Sequence, residues 1–408
     1  MNTKRTNSHR SIATTCETAA RAFCLIFCSL STVVATNAGE PRIVTFDAPA
    51  AGATPGSYQG TGCFAYPSCS VVINNWGAVT GYYLDAHSVY HGFVRDPGGK
   101  ITAFDVPGAD LTAGSFNGTL PNAINDEGVI AGAYYDSNGA AHGFLRAPWG
   151  GFTTFDVPGG SLLTIPVGLN LGGSVVGSVL DQNSVWHAFE RKPAGTFVTF
   201  NGPGACDTSP SNGCTGTGAV SINDFGVIGG GYSDNHAVLH GLLRSPQGKL
   251  TRIDAPGAGA VPGNYQGTNC LDCSAPINQF GVMAGYYIDA DNVVHGFIRS
   301  REGKIRTFDA PSGAGPQGFG CLVDCSLGLN DWGTITGYYL DANNVYHGFV
   351  RSSEGKITTF DAPGANLTSG SYGGTFPVSI NDQGVITGYY LDANSINHGF
   401  VLFPSERD

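Results

Sequence analysis

The sequence predicts an all-β repeat protein, and three observations carry that prediction. First, one spacing recurs seven times: a glycine is followed four residues on by a second glycine, eight on by an aspartate and fourteen on by a histidine. The aspartates are Asp85, Asp136, Asp181, Asp234, Asp289, Asp341 and Asp392. The histidines are His91, His142, His187, His240, His295, His347 and His398, spaced 51, 45, 53, 55, 52 and 51 residues apart. Such a period marks one supersecondary unit stacked to build a shared core. Second, each unit reads as four short strands, rich in β-branched and aromatic residues and punctuated by glycine and Asx turns. Third, no segment sustains a 3.6-residue apolar period, so helices should be few. A four-stranded unit at this period is the pattern of a β-propeller blade.

The elements of one unit follow in order. Pro377 to Ile380 alternates as a first strand and runs into Asn381-Asp382-Gln383-Gly384, a hairpin loop with glycine where a left-handed residue is wanted. Val385 to Leu391 is the second strand, and Asp392-Ala393-Asn394 opens a turn in which a short Asx side chain can bond the backbone. His398 to Val401 is the third strand. The fourth is seen in the preceding unit, from Lys356 to Pro363. The repeats centre on residues 71–107, 121–158, 166–203, 219–256, 275–311, 327–363 and 377–403. A fourth-strand motif, Thr45-Phe46-Asp47 within 43–49, stands before any first strand, while the last unit stops at Asp408 without a fourth. The two ends are complementary. The expected fold is therefore a seven-bladed β-propeller of four-stranded antiparallel blades, the last blade closed by the N-terminal strand, which leaves neither edge open.

Residues 1–38 stand outside the repeat, and 39–408 form the expected propeller. Lys4, Arg5, Arg10 and Arg21 precede an apolar run from Ala22 to Val34 and small residues near Ala38, the pattern of a secretory leader. A retained anchor is the alternative; the run is short for a membrane span, and the mature chain has no other candidate. Without the leader the chain keeps 16 basic against 30 acidic residues, a net charge of −14. That field repels phosphate backbones, so nucleic acid is not an expected partner. Export agrees with the cysteines outside the leader, which form four close pairs: Cys63 with Cys69, Cys206 with Cys214, Cys270 with Cys273, and Cys321 with Cys325. An even count in an exported chain reads as disulfides. A metal site at Cys270 and Cys273 competes, but no matching histidine pair lies nearby.

An asparagine precedes the first turn of every unit (Asn74, Asn125, Asn170, Asn223, Asn278, Asn330, Asn381), so each unit repeats an Asn/Asp/His set. Sevenfold repetition favours structural hydrogen bonding within each unit, because catalysis needs one asymmetric site. Asp-x-Asn steps such as Asp136-x-Asn138 offer alternating oxygens, but no bidentate acid follows to complete a calcium loop. No metal, cofactor or catalytic residue is assigned. Nucleophile-elbow, zinc-helix and phosphate-loop motifs are absent from the sequence. The linkers from fourth to first strands vary, taking 27, 20, 14, 22, 24, 21 and 20 residues between their flanking polar positions. Variable loops on one face of a scaffold are the usual place for recognition. Tyr58, Phe116, Tyr265 and Tyr372 occupy equivalent places in four of them and are the candidate ligand-stacking residues. The alternative is that each folds back on the neighbouring blade.

The His-Gly-Phe strand, followed by Arg and then Thr-Phe-Asp, together with Ile-Asn-Asp-x-Gly-x-Ile-x-Gly as at Ile124 to Gly132, resembles the bacterial extracellular repeats known as the HAF family. The third unit departs from that pattern, with Asn170-Leu171-Gly172-Gly173, His187-Ala188-Phe189 and Asn201 in place of the aspartate. The resemblance implies export and a repeat β-fold, and no activity. The expected function is that of a secreted, monomeric binding or surface-interaction protein that presents its variable face to a glycan, peptide or envelope partner. The alternative is a polysaccharide hydrolase or lyase with its site at the central mouth.

Overall fold

A computed structural model describes residues 40–62, 70–160, 163–206, 215–268, 275–319 and 326–405. Arg42–Pro404 forms a compact unit. Its described residues are strands and turns, with no helix long and apolar enough to cross a membrane.

The second unit shows the pattern: Thr119–Ile124, Ile130–Tyr135, Ala141–Arg146 and Phe152–Phe155 pair in succession as an antiparallel meander. The third (Thr164–Leu169 to Phe197–Phe200) and fourth (Thr217–Ile222 to Leu250–Ile253) units repeat it. Fourth strands are shorter than the sequence suggests, Ile357–Phe360 ending before Asp361. That aspartate leaves the ladder to meet a histidine instead. In the fifth unit the first strand is described in two pieces, Gly267–Thr268 opposite Ile288 and Tyr287, and a bridge from Ile277 to Met283. Arg42–Phe46 pairs antiparallel with Asn397–Phe403, Phe46 opposite Gly399.

Inward alternation builds the core. The aromatic of each His-Gly-Phe strand is buried (Phe93, Phe144, Phe189, Phe297, Phe349 and Phe400), with Leu242 in the fourth unit. Against it lies the residue two before the second-strand glycine: Val79, Ile130, Val175, Ile228, Met283, Ile335 or Ile386. Burying one such phenylalanine stabilises the fold by roughly 2–3 kcal/mol. The second-strand glycine is required sterically. A Cβ on Gly132 would lie 2.3 Å from the Leu120 carbonyl. First strands bulge at that point, between Pro121 and Ala123 for example, where proline costs no ladder bond.

Neighbouring units are joined by repeated seams. The third-strand arginine of one unit lies over the fourth-strand phenylalanine of the unit before: Arg146 over Phe104 at 4.7 Å, Arg191 over Phe155 at 5.0 Å, Arg244 over Phe200 at 4.8 Å. Arg95 lies over Phe46 at 5.3 Å in the same way. Between the third and fourth units Arg244 also meets the buried Glu190 at 2.9 Å.

Candidate binding site

Four linkers return from an outer strand and curl against the second-to-third turn of a neighbouring unit. Gly114 donates its N–H to the His87 carbonyl at 2.6 Å and Phe116 donates to the Ser88 carbonyl at 3.0 Å. Gly370 and Tyr372 repeat this on Asn343 and Asn344, and Gly56 and Tyr58 on Asn394 and Ser395. Tyr58, Phe116 and Tyr372 make these bonds with a left-handed backbone, φ 56°, 52° and 51°, and Tyr265 is left-handed too at 51°, beside Gly263, which donates to the His236 carbonyl at 2.8 Å. Glycine would sit there at no steric cost, whereas a bulky residue costs about 1–3 kcal/mol. In that order the side chains are 37%, 58%, 57% and 46% exposed, so the backbone docks on the neighbour while the ring stays open to solvent. Two residues on, Gly118 makes a parallel bridge to Tyr90, as Gly60, Gly267 and Gly374 do to Asn397, Leu239 and Tyr346.

The aspartate of the recurring polar set closes the turn on which the linker backbone docks. Asp136 Oδ1 accepts N–H bonds from Asn138 and Ala140, closing an Asx turn, while Asn138 Nδ2 donates to Asp136 Oδ2 at 3.0 Å. The step whose oxygens a calcium loop would use therefore presents an amide nitrogen to its own carboxylate. Each repeat histidine joins this turn to the outer strand. Its Nδ1 lies 2.7–2.9 Å from Asp105, Asp156, Asn201, Asp254, Asp309, Asp361 or Asp47. Its Nε2 faces the second-turn aspartate at 3.2–3.7 Å. Six histidines also pack on a second-strand tyrosine, as Tyr83 does on His91 with ring centres 5.1 Å apart. Burial, reinforced by Asp105 and Asp85, pushes the Tyr83 hydroxyl up to about 12. The hydrogen bond to Asp105 holds His91 above its ordinary value, and Asp47 does the same for His398. With both nitrogens occupied, this imidazole is spent on the scaffold.

The asparagines behave differently from the expectation that they bond within one unit. Each Oδ1 does accept from its own turn, as from Ala78 N–H to Asn74. Each Nδ2, however, donates to the main-chain carbonyl of the next asparagine, at 3.0–3.2 Å from Asn74 through Asn125, Asn170, Asn223, Asn278 and Asn330 to Asn381. Asn381 Nδ2 donates to Asn74 O at 3.2 Å, so the hydrogen bonds run in a cycle. Asparagine fits because its side chain accepts and donates at once.

This cycle lines a cavity of about 300 Å³ at the end of the strands opposite the linkers, whose wall also carries Asp126, Asp224, Asp331 and Asp382. The next residue in four of these hairpin loops is an exposed aromatic: Trp76, Phe225, Phe280 and Trp332, 60–73% exposed. Sequence reasoning missed this second set. Its signal was present as Asn-x-aromatic-Gly in four of the seven first turns.

Of the eight paired cysteines, Cys206 alone is described. It is buried, its sulfur 3.7 Å from Ser233 Oγ. The other seven, Cys63, Cys69, Cys214, Cys270, Cys273, Cys321 and Cys325, lie outside the described residues, as does the expected leader.

No protein-family model and no curated protein matches the sequence. Solved structures do. A streptogramin B lyase shares 13% identity over 89% of this chain and 98% of its own, with a TM-score of 0.51. A puromycin hydrolase shares 10% over 85% of this chain and 54% of its own, with a TM-score of 0.50. The β-propeller domain of the trilobed protease of Pyrococcus furiosus shares 9% over 81% and 94%, with a TM-score of 0.47. Identities this low speak to the fold alone: the chain is an all-β protein whose repeated units are four-stranded antiparallel sheets.

Proposed function

We propose that this is an exported binding protein, a seven-bladed β-propeller closed by its N-terminal strand, which holds a repeating glycan on its linker face. Closure is supported by the pairing of Arg42–Phe46 with Asn397–Phe403, by Arg95 over Phe46, and by the return of the asparagine cycle to Asn74. Export, four linker disulfides and kinship with the HAF repeats belong to the same proposal; they rest on the leader, the paired cysteines and the recurring motif.

One observation carries the binding reading. Four equivalent aromatics are kept in a left-handed conformation and left exposed. Strain retained without burial is a cost to the fold, and such strain clusters where a ligand is held. Rings at equivalent positions suit a polymer that presents the same apolar sugar face repeatedly. The test is co-sedimentation of the purified protein with insoluble polysaccharides, beside a variant carrying Tyr58→Ala, Phe116→Ala, Tyr265→Ala and Tyr372→Ala. Retention by one polysaccharide, lost in the variant, is expected. Equal retention of both proteins would overturn the reading, and release of soluble sugars would favour the hydrolase or lyase.

A further inference from the structure

On the opposite face, the asparagine-lined cavity has a composition that calls for a particular ligand. None of its lining residues is Lys, Arg or His. Its four carboxylates are ordered by the scaffold: Asp126 Oδ1 accepts from Asn75 N–H, Asp224 Oδ1 from Leu171, Asp331 Oδ1 from Gln279 and Asp382 Oδ1 from Asp331, all at 2.8 Å. The second oxygens of Asp224, Asp331 and Asp382 accept no hydrogen bond among the described residues, and none of the four acids forms an ion pair there. Burial raises Asp331, opposed by the Gln279 N–H, and repulsion from Asp382, Asp224 and Asp126 adds to the rise.

The collar is a separate observation. Trp76, Phe225, Phe280 and Trp332 stand on the hairpin loops whose Asn and Asp side chains line the cavity. Trp332 is fixed there, its indole Nε1 donating to the Asp382 carbonyl at 2.8 Å. The rings stand on the same loops as the carboxylates, outside the residues that line the cavity itself, so an organic cation held by the carboxylates could add a cation–π attraction at the rim to the Coulombic one within. A volume of about 300 Å³ is at the small end for ligand sites, enough for a slender molecule.

We propose that this cavity binds an alkylammonium ligand, a linear polyamine, with its N–H groups on the unoccupied oxygens of Asp224, Asp331 and Asp382 and its chain against the aromatic collar. A neutral sugar could stack on the rings but would leave the carboxylates mutually repelling, so charge complementarity decides for the cation.

Spermidine titrated into the full chain tests this, read by calorimetry and by tryptophan fluorescence, since Trp76 and Trp332 are two of only four tryptophans. One saturable site is expected. Trp332→Ala and Asp331→Asn should each weaken it about ten-fold, and Asp331→Asn keeps an oxygen for the Gln279 N–H so that the fold survives. The linker variant of the preceding section should bind spermidine unchanged. Non-saturable binding, affinity untouched by both substitutions, or displacement by galactose at equal concentration would overturn the proposal.

Discussion

Replacing Phe46 by alanine tests the proposed closure quantitatively, because an internal seam supplies its control. Phe46 lies over Gly399, where a Cβ would come within 2.4 Å of the ring, packs edge-on against Phe93 at 5.9 Å, and sits under Arg95. Phe104 does the same between the first and second units, over Gly92, against Phe144 at 6.4 Å and under Arg146. Both rings are half-buried. A buried Phe→Ala change costs about 3–5 kcal/mol, and partial exposure reduces that to roughly 2–3. The lost cation–π contact adds ~0.5–1, for a total near 3 kcal/mol. Unfolding entropy of about 2.1 cal/mol/K per residue across Arg42–Pro404 converts this to a fall of about 4 °C in melting temperature. Scanning calorimetry of Phe46→Ala and Phe104→Ala should therefore show two similar drops. A Phe46→Ala variant melting within about 1 °C of the parent, beside a Phe104→Ala variant that loses the full amount, would refute closure by that strand.

Four further outcomes are expected. Phe116→Gly should keep or slightly raise stability, by at most ~1–3 kcal/mol of relieved left-handed strain, read as an unchanged or slightly higher melting temperature, while weakening polysaccharide retention; a matching loss of stability would assign the ring a packing role. Gly118→Ala, whose Cβ would lie 1.9 Å from the Tyr90 carbonyl at φ 129°, should destabilise far more than Gly139→Ala, which has nothing within 4 Å; calorimetry of both variants checks the steric argument. The raised pKa of His91 and His398 contributes stability that is complete below the unfolded value of ~6.5 and is lost as pH rises through the folded value. For Asp85, burial is outweighed by the N–H bonds of Val89 and His87, and its contribution is lost as pH falls through its lowered value. Melting temperature should accordingly decline from pH 6 to pH 8, with a shallower slope in Asp47→Asn. Finally, peptide mass mapping of exported, unreduced protein should link Cys206 to Cys214, and eight free thiols would remove the disulfide proposal.

The sequence by itself determined the all-β class and the four-strand meander of each unit. Each is periodic, and periodicity is a one-dimensional signal: the second-strand glycine, the His-Gly-Phe strand and the Asx turn are set by neighbours within a few residues. The four linker aromatics were legible for the same reason, through their shared flanking glycines, although their left-handed backbone was not. That conformation accompanies docking on Ser88, Asn344 or Ser395, in a turn of a neighbouring unit, 28 residues earlier in the chain for Phe116 and for Tyr372 and 337 later for Tyr58. Only the tertiary structure decided that the asparagine amides leave their own units and run in a cycle, and that this cycle gathers Asp126, Asp224, Asp331 and Asp382 around one cavity. Residues some fifty positions apart meet there because identical units are set side by side. Which repeated positions converge depends on the end of the strand they occupy and the way neighbouring sheets are packed, and no local spacing encodes that.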